Sequence, residues 1–147
     1  MKRILLIATG GTIASVQTEN GLAPASTAEE LLSYIPEAGK FCEVSVRQLF
    51  SLDSTNVQPE HWIRPSDWMR IGDAIVKSYD DYDGFVVLHG TDTMAYSAAA
   101  LSYLIQNSEK PIILTGSQKP ISVPITDARK NLMDSLRFAS RDGVRGV

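Results

Sequence analysis

The chain opens on an unbroken apolar run, Ile4-Leu5-Leu6-Ile7-Ala8. Such a run, without polar alternation, is the pattern of a strand buried on both faces. Thr9-Gly10-Gly11-Thr12 ends it sharply, and the polar, glycine-bearing stretch from Ser15 to Pro24 reads as a loop. Ser26-Thr27-Ala28-Glu29 has capping-box spacing and predicts a short helix through Tyr34, stopped by Pro36 and Gly39. Cys42 to Leu49 alternates and predicts a second strand, with loop-like sequence from Leu52 to Pro59. Pro59-Glu60-His61-Trp62 is then nearly repeated by Pro65-Ser66-Asp67-Trp68, each with a proline and an acid suited to a first helical turn. The longer helix is expected after Ser66, with Trp68, Ile71 and Ile75 on one apolar face.

Asp80, Asp81 and Asp83 cluster with Gly84 in a turn before a second continuous apolar strand, Phe85-Val86-Val87-Leu88. His89-Gly90-Thr91-Asp92-Thr93 follows, then a helix from about Met94 to Gln106 and a strand from Pro111 to Leu114. Gly116 to Thr126 carries Pro120 and Pro124 and reads as a loop. Asp127 to Ser140 is expected to be helical with Leu132, Leu136 and Ala139 on one face, and Val144 to Val147 to open a fifth strand. Strands alternating with helices predict an α/β fold: a parallel sheet with helices on both faces, Rossmann-like and three-layered, cut off at the start of its fifth strand. Right-handed crossovers are expected throughout. Ligands of such sheets bind at the carboxyl ends of the strands. Three polar loops fall there, Thr9 to Thr12, Asp53 to Asn56 and Gly90 to Thr93, and Thr115 to Gln118 adds to them.

Composition narrows the function classes. A chain of 147 residues, 44% hydrophobic and 21% charged, has the size and balance of one globular domain with its own core. A net charge of -3 argues against nucleic acid as a partner, and the scattered Lys and Arg argue against a membrane surface. The five apolar residues after Met1-Lys2-Arg3 are too few for a signal peptide or a membrane span, so the cytoplasm is the expected compartment. The single cysteine, Cys42, excludes an intramolecular disulfide and reads as a small buried hydrophobe. His61 and His89 are too few and too weakly patterned for a metal site. Trp62 and Trp68 read as packing residues.

Each polar loop carries two readings. The glycines of Thr9-Gly10-Gly11-Thr12 allow a tight turn that exposes N–H groups, which suits a phosphate cradle, a plain turn or a nucleophilic Thr12. Neither the dinucleotide fingerprint nor the P-loop pattern is present. Thr91 and Asp92 place a hydroxyl beside a carboxylate at a strand end. A threonine hydroxyl needs a nearby base to act as a nucleophile. The competing explanation makes Asp92 or Thr93 an N-cap and His89 a packed, hydrogen-bonded residue. Asp53 suits an ammonium group and Ser54 a carboxylate, or the pair simply forms an Asx-type turn.

Together these segments resemble the bacterial and archaeal L-asparaginase family, in particular its cytoplasmic, type I-like branch. Thr9-Gly10-Gly11-Thr12-Ile13-Ala14-Ser15 is similar to the family's first signature. Asp83-Gly84-Phe85-Val86-Val87-Leu88-His89-Gly90-Thr91-Asp92-Thr93-Met94-Ala95-Tyr96 is similar to its second, and Asp53-Ser54-Thr55 stands between them. The resemblance implies hydrolysis of L-asparagine to L-aspartate and ammonia through an acyl-enzyme on Thr12. It implies that Thr91 and Asp92 belong to a Thr-Lys-Asp group assisting proton transfer, and that Asp53 and Ser54 hold the substrate's α-amino and α-carboxylate groups. Backbone N–H groups near Gly11-Thr12 and Gly90-Thr91 would face the oxyanion, where losing one donor costs roughly 10²–10³ in rate. No metal or organic cofactor is implied, and a homo-oligomer, dimer or tetramer, is.

Three departures bear on these expectations. The Lys of the Thr-Lys-Asp group falls beyond residue 147 in the family, and Lys119 and Lys130 sit in other segments. The family's smaller C-terminal domain, which lends residues to a neighbouring subunit's site, is absent, so residues 1–147 are expected to be an N-terminal domain and an incomplete piece. Where many members have a loop Tyr, this chain has Leu22, and Ile63 to Trp68 reads as a short insertion. Two alternatives therefore stay open: the glutamine-hydrolysing subunit of a tRNA-dependent amidotransferase, which shares these motifs, and an inactive fragment that only binds aspartate or asparagine.

Overall fold

The computed structural model describes residues 1–18, 21–24, 27–52 and 65–147. Four parallel strands form its sheet: β1 (Lys2–Gly10), β4 (Cys42–Leu52), β5 (Gly84–Leu88) and β6 (Ile112–Thr115), in the order β4-β1-β5-β6. The register runs Ile4 beside both Val44 and Gly84, and Phe85 beside Ile112. The continuous apolar runs do what their pattern predicts. Successive residues of β1 alternate between two apolar cores on opposite faces of the sheet. Ile4, Leu6 and Ala8 join Val86 and Leu88 under helices α1 (Ala28–Ser33) and α4 (Ala128–Ala139), where Leu31, Leu132, Leu136 and Ala139 complete the packing. Leu5 and Ile7 join Phe85 and Val87 under helices α2 (Pro65–Lys77) and α3 (Met94–Leu104), against Ile71, Ile75 and Leu101. Cys42 is buried in the first of these cores, and burial pushes its thiol pKa up. The three-layer α/β architecture expected from the alternation is present.

Four expectations need correction. The stretch read as a loop from Ser15 to Pro24 contains an antiparallel hairpin, β2 (Ser15–Thr18) against β3 (Gly21–Pro24), with Gln17 opposite Leu22. The capping box of α1 lies one residue later than read. Thr27 is the N-cap, its Oγ1 accepts from the Glu30 N–H at 3.2 Å, and its own N–H donates to Glu30 Oε2 at 2.9 Å. Both spacings fit the Ser/Thr-x-x-Glu pattern, and sequence does not choose between them. β4 runs to Leu52 rather than Leu49. The fifth strand is reduced to a single parallel bridge between Pro111 and Gly146, with the Ile112 N–H donating to the Gly146 carbonyl at 2.8 Å. Positive φ angles at Gly143 and Gly146 (81° and 76°) turn this segment out of extended geometry.

The last connection also breaks the handedness rule. α2 and α3 both lie on the Leu5 face and carry the chain stepwise from β4 to β5 to β6. α4 carries it one step further the same way, to the bridge outside β6, yet lies on the opposite face. Its hand is therefore opposite to that of the others, which follow the nearly universal right-handed rule. This left-handed connection lets the segment after β6 turn back across the carboxyl end of the sheet, toward β1, before α4 begins.

Candidate active site

In this strand order, the chain leaves β1 toward one edge of the sheet and leaves β5 toward the other. The carboxyl ends of these two neighbours form the switch point where open α/β sheets bind ligands. Thr12 lies just past β1, half-buried in a short 3-10 turn, Thr12–Ala14. Two consecutive positive φ angles, 106° at Gly10 and 88° at Gly11, make the turn that delivers it there. The Gly11 carbonyl then accepts from the Ala14 N–H at 3.1 Å and the Ser15 hydroxyl at 3.2 Å. Gly11 has a second reason to be glycine: a Cβ there would sit 2.7 Å from Gly90 N and 2.9 Å from Gly90 Cα. The turns after β1 and β5 thus pack backbone on backbone, and Thr12 and Gly90-Thr91 belong to abutting segments.

After β5, Thr91 is half-buried and Asp92 exposed. The capping explanation is met in position but not in hydrogen bonding. Thr93 holds the N-cap position of α3, at φ −115° and ψ 7°, with no side-chain cap hydrogen bond. His89 does match its expectation as a packed, hydrogen-bonded residue. It is buried, with Nδ1 2.7 Å from the Gly90 carbonyl and Nε2 2.8 Å from Ser97 Oγ. Burial lowers its pKa below the usual histidine value, only partly opposed by the Gly90 carbonyl. Asp53 and Ser54 lie outside the described residues, as does the first of the two Pro–Trp segments. The backbone enters that region from Leu52, which pairs with Gly10 at the same end of the sheet.

Of the loop after β6, the sequence places only Thr115 to Gln118 among the polar loops at the ligand end of the sheet, and the structure brings the residues up to Ile121 there as well. Gly116 presses onto the turn after β5, and a Cβ at that position would meet the His89 carbonyl at 2.2 Å. Further along, the Ile121 N–H donates to the Ile13 carbonyl at 3.3 Å, so the loop passes over β5 and reaches the Thr12 turn. The start of α4 fastens it. Asn131 Nδ2 donates to the Gly116 carbonyl at 2.9 Å, and the Asp127 carboxylate accepts from the N–H groups of Gln118 and Lys119 at 2.9 and 3.1 Å. Asp127 spends its side chain on the loop, while the Ala128 N–H is taken by Thr126 Oγ1 at 3.0 Å. Aspartate beside a helix start reads as a cap in sequence, which is why this role was not legible.

Partial burial alone would raise the Asp127 pKa, but the N–H groups of Gln118, Asp127 itself and Lys119 outweigh it and leave the carboxyl below its ordinary 3.8. A depressed folded pKa contributes stability above the unfolded value that is lost as pH falls through the folded one. Asp127→Asn is therefore expected to destabilise the chain by about 1 kcal/mol at pH 7, a low figure because the group faces solvent. The difference should shrink as pH drops past 3.8. Urea unfolding of both proteins at pH 7 and pH 3 measures it, and an equal gap at the two pH values would contradict the assignment.

Three successive turns, after β1, β5 and β6, are thus stacked over the switch point. They present two threonine hydroxyls, an exposed carboxylate and glycine-rich backbone, a set suited to acyl transfer on a small polar substrate. The family model described as "Asparaginase, N-terminal" matches residues 3–147. An L-asparaginase of Thermococcus kodakarensis is 43% identical over 148 residues, covering 99% of this chain and 42% of that protein. One subunit of the glutamyl-tRNA(Gln) amidotransferase of Pyrococcus horikoshii is 42% identical over 142 residues, covering 95% of this chain and 31% of that protein. The crystal structure of L-asparaginase I from Vibrio cholerae superposes with a TM-score of 0.84 at 36% identity, over 99% of this chain and 43% of that one. The chain therefore spans less than half the length of the relatives it matches.

Proposed function

This chain belongs to the asparaginase family, and we propose that it is the N-terminal α/β domain of an amidohydrolase converting L-asparagine and water to L-aspartate and ammonia. In this reading Thr12 Oγ attacks the side-chain amide carbon, ammonia leaves with a transferred proton, and water releases aspartate from the acyl-enzyme. Thr91 and Asp92 assist the proton transfers. Backbone N–H groups of the Gly11-Thr12 and Gly90-Thr91 segments face the developing oxyanion, and Asp53 and Ser54 take the α-amino and α-carboxylate groups. The observation that carries the reading is the contact of Gly11 with Gly90, which puts the turn bearing Thr12 against the turn bearing Thr91 and Asp92.

The 42% identity with a component of a glutamyl-tRNA(Gln) amidotransferase favours a second reading, ammonia release from glutamine on behalf of a tRNA-dependent partner. An assay of ammonia release, paired with calorimetric titration of L-aspartate into the chain, separates the readings. Aspartate binding with partner-independent asparagine hydrolysis supports the first. Release that needs glutamine, a partner and tRNA supports the second, and binding without any release marks a fragment that only binds. Failure to bind either amino acid or its amide would remove the asparaginase reading. A homo-oligomer, dimer or tetramer, belongs to the same proposal. Its support in the structure is the apolar α3, which leaves Tyr96, Tyr103 and Leu104 exposed.

A further inference from the structure

His89 is buried beside the proposed site, yet neither proton transfer nor substrate contact calls on it. Its surroundings form a chain of hydrogen bonds running inward from α2. Trp68 Nε1 donates to Ser97 Oγ at 2.9 Å, Ser97 Oγ lies 2.8 Å from His89 Nε2, and His89 Nδ1 lies 2.7 Å from the Gly90 carbonyl oxygen. The two ends of the chain fix its polarity. An indole N–H only donates, and a carbonyl oxygen only accepts. His89 must therefore carry its proton on Nδ1 to serve Gly90. A neutral ring then has Nε2 free to accept the Ser97 O–H, and a Ser97 lone pair takes the indole N–H. Every group is satisfied by one neutral tautomer, a proton placement that follows from the network. Ser97 is fully buried and His89 nearly so, which makes any orphaned partner costly.

The consequence falls on the next peptide. No peptide bond among the described residues is cis, so the Gly90 carbonyl and the Thr91 N–H point in opposite directions. With the carbonyl drawn inward under the buried imidazole, the Thr91 N–H is aimed the other way, out of the half-exposed turn. Among the described residues it meets no protein acceptor. Gly11 packs closely against Gly90 N and Cα.

We propose that Trp68, Ser97 and His89 form a positioning relay, which locks the Gly90-Thr91 peptide so that the Thr91 N–H is held as a fixed donor for an oxygen of the bound amino acid. His89 acts through Gly90 and is neither acid nor base in the reaction. The relay is a property of the folded chain. Only the identity of its ligand rests on the asparaginase reading.

The test uses the 147-residue chain, nitrogen-15 NMR and L-aspartate as probe. In the wild type, the His89 ring nitrogens should show the Nδ1–H tautomer at neutral pH. A wild-type ring in the Nε2–H tautomer would overturn the relay outright. His89→Asn keeps an N–H donor near the Nδ1 position, whereas His89→Gln moves it toward the Nε2 position. Asparagine should therefore preserve the ligand-free Thr91 amide resonance and bind aspartate within about threefold of wild type. Glutamine and Ser97→Ala should shift that resonance and weaken binding by roughly tenfold, the order of one misaligned hydrogen bond. A residue that merely fills space would be replaced better by the larger glutamine, so the reverse order of the two His89 variants sinks the inference. The Asn–Gln contrast also survives if Ser97→Ala fails to fold. If the wild type binds no aspartate, the proposed ligand is wrong, and the Thr91 resonance in the ligand-free variants still decides the relay.

Discussion

Gly11→Ala is expected to cost about 3 kcal/mol or more of stability and to abolish aspartate binding. Two independent penalties combine at this position. Its backbone sits at φ 88° and ψ 169°, a region only glycine occupies freely, where another residue costs on the order of 1–3 kcal/mol. The added methyl would also lie 2.7 Å from Gly90 N and 2.9 Å from the His89 carbonyl carbon. Those atoms are backbone, anchored by the His89 N–H on the Thr115 carbonyl at 2.8 Å, and have little room to give. Overpacking of this kind adds roughly 1–3 kcal/mol. Relief comes only by parting the turns after β1 and β5, which is what the site cannot tolerate. Gly72→Ala is the control. Among the described residues nothing lies within 4 Å of its added Cβ, and in mid-helix the same substitution should stabilise α2 by about 0.5–1 kcal/mol. Urea unfolding compares the two, and equal, small effects would show that the turns do not need their glycine contact.

The contrast between these glycines shows what the sequence makes legible. Gly10-Gly11 after an apolar run announces a tight turn, because few residues take positive φ, and both positions do take it. The runs Ile4 to Ala8 and Phe85 to Leu88 announce strands covered on both faces, because no polar residue interrupts them, and every residue in both is buried. Helical faces were legible in the same way: Ile71, Ile75, Leu132 and Leu136 are all buried where period and polarity put them.

What a helix's periodicity cannot say is which side of the sheet it covers. α4 has the stripe expected of it, yet its placement beside α1 makes the last crossover left-handed and sends Gly116 to Ile121 over the site. That geometry depends on tertiary contacts: Gly116 on the His89 carbonyl, and Asp127 on the loop's N–H groups. Neither leaves a local pattern. Trp68 was legible as part of an apolar face, but the hydrogen bond of its indole N–H depends on Ser97, a residue 29 positions away. The hairpin β2–β3 escaped for a simpler reason. Its polar, glycine-bearing sequence lacks the alternation that betrays a half-buried strand, so only backbone pairing reveals it.

The remaining large effect belongs to chemistry rather than stability. Thr12→Ala, in a form of the chain that turns asparagine over, is expected to lower kcat by at least about 10³-fold, the order seen when a nucleophile is removed and only oxyanion stabilisation and binding remain. Its stability should change little, since Thr12 is half-buried in a short turn rather than part of either core. KM should stay near the wild-type value, because the groups assigned to the substrate's α-amino and α-carboxylate ends, Asp53 and Ser54, are untouched. Thr12→Ser sharpens the argument: it keeps the oxygen and loses only a methyl, so it should retain a substantial share of turnover. Steady-state ammonia release with both variants separates a nucleophile from a residue that only shapes the turn. Should the alanine variant hydrolyse asparagine at the wild-type rate, the attacking group must lie elsewhere. Thr91, on the abutting turn, would then be the next hydroxyl to replace.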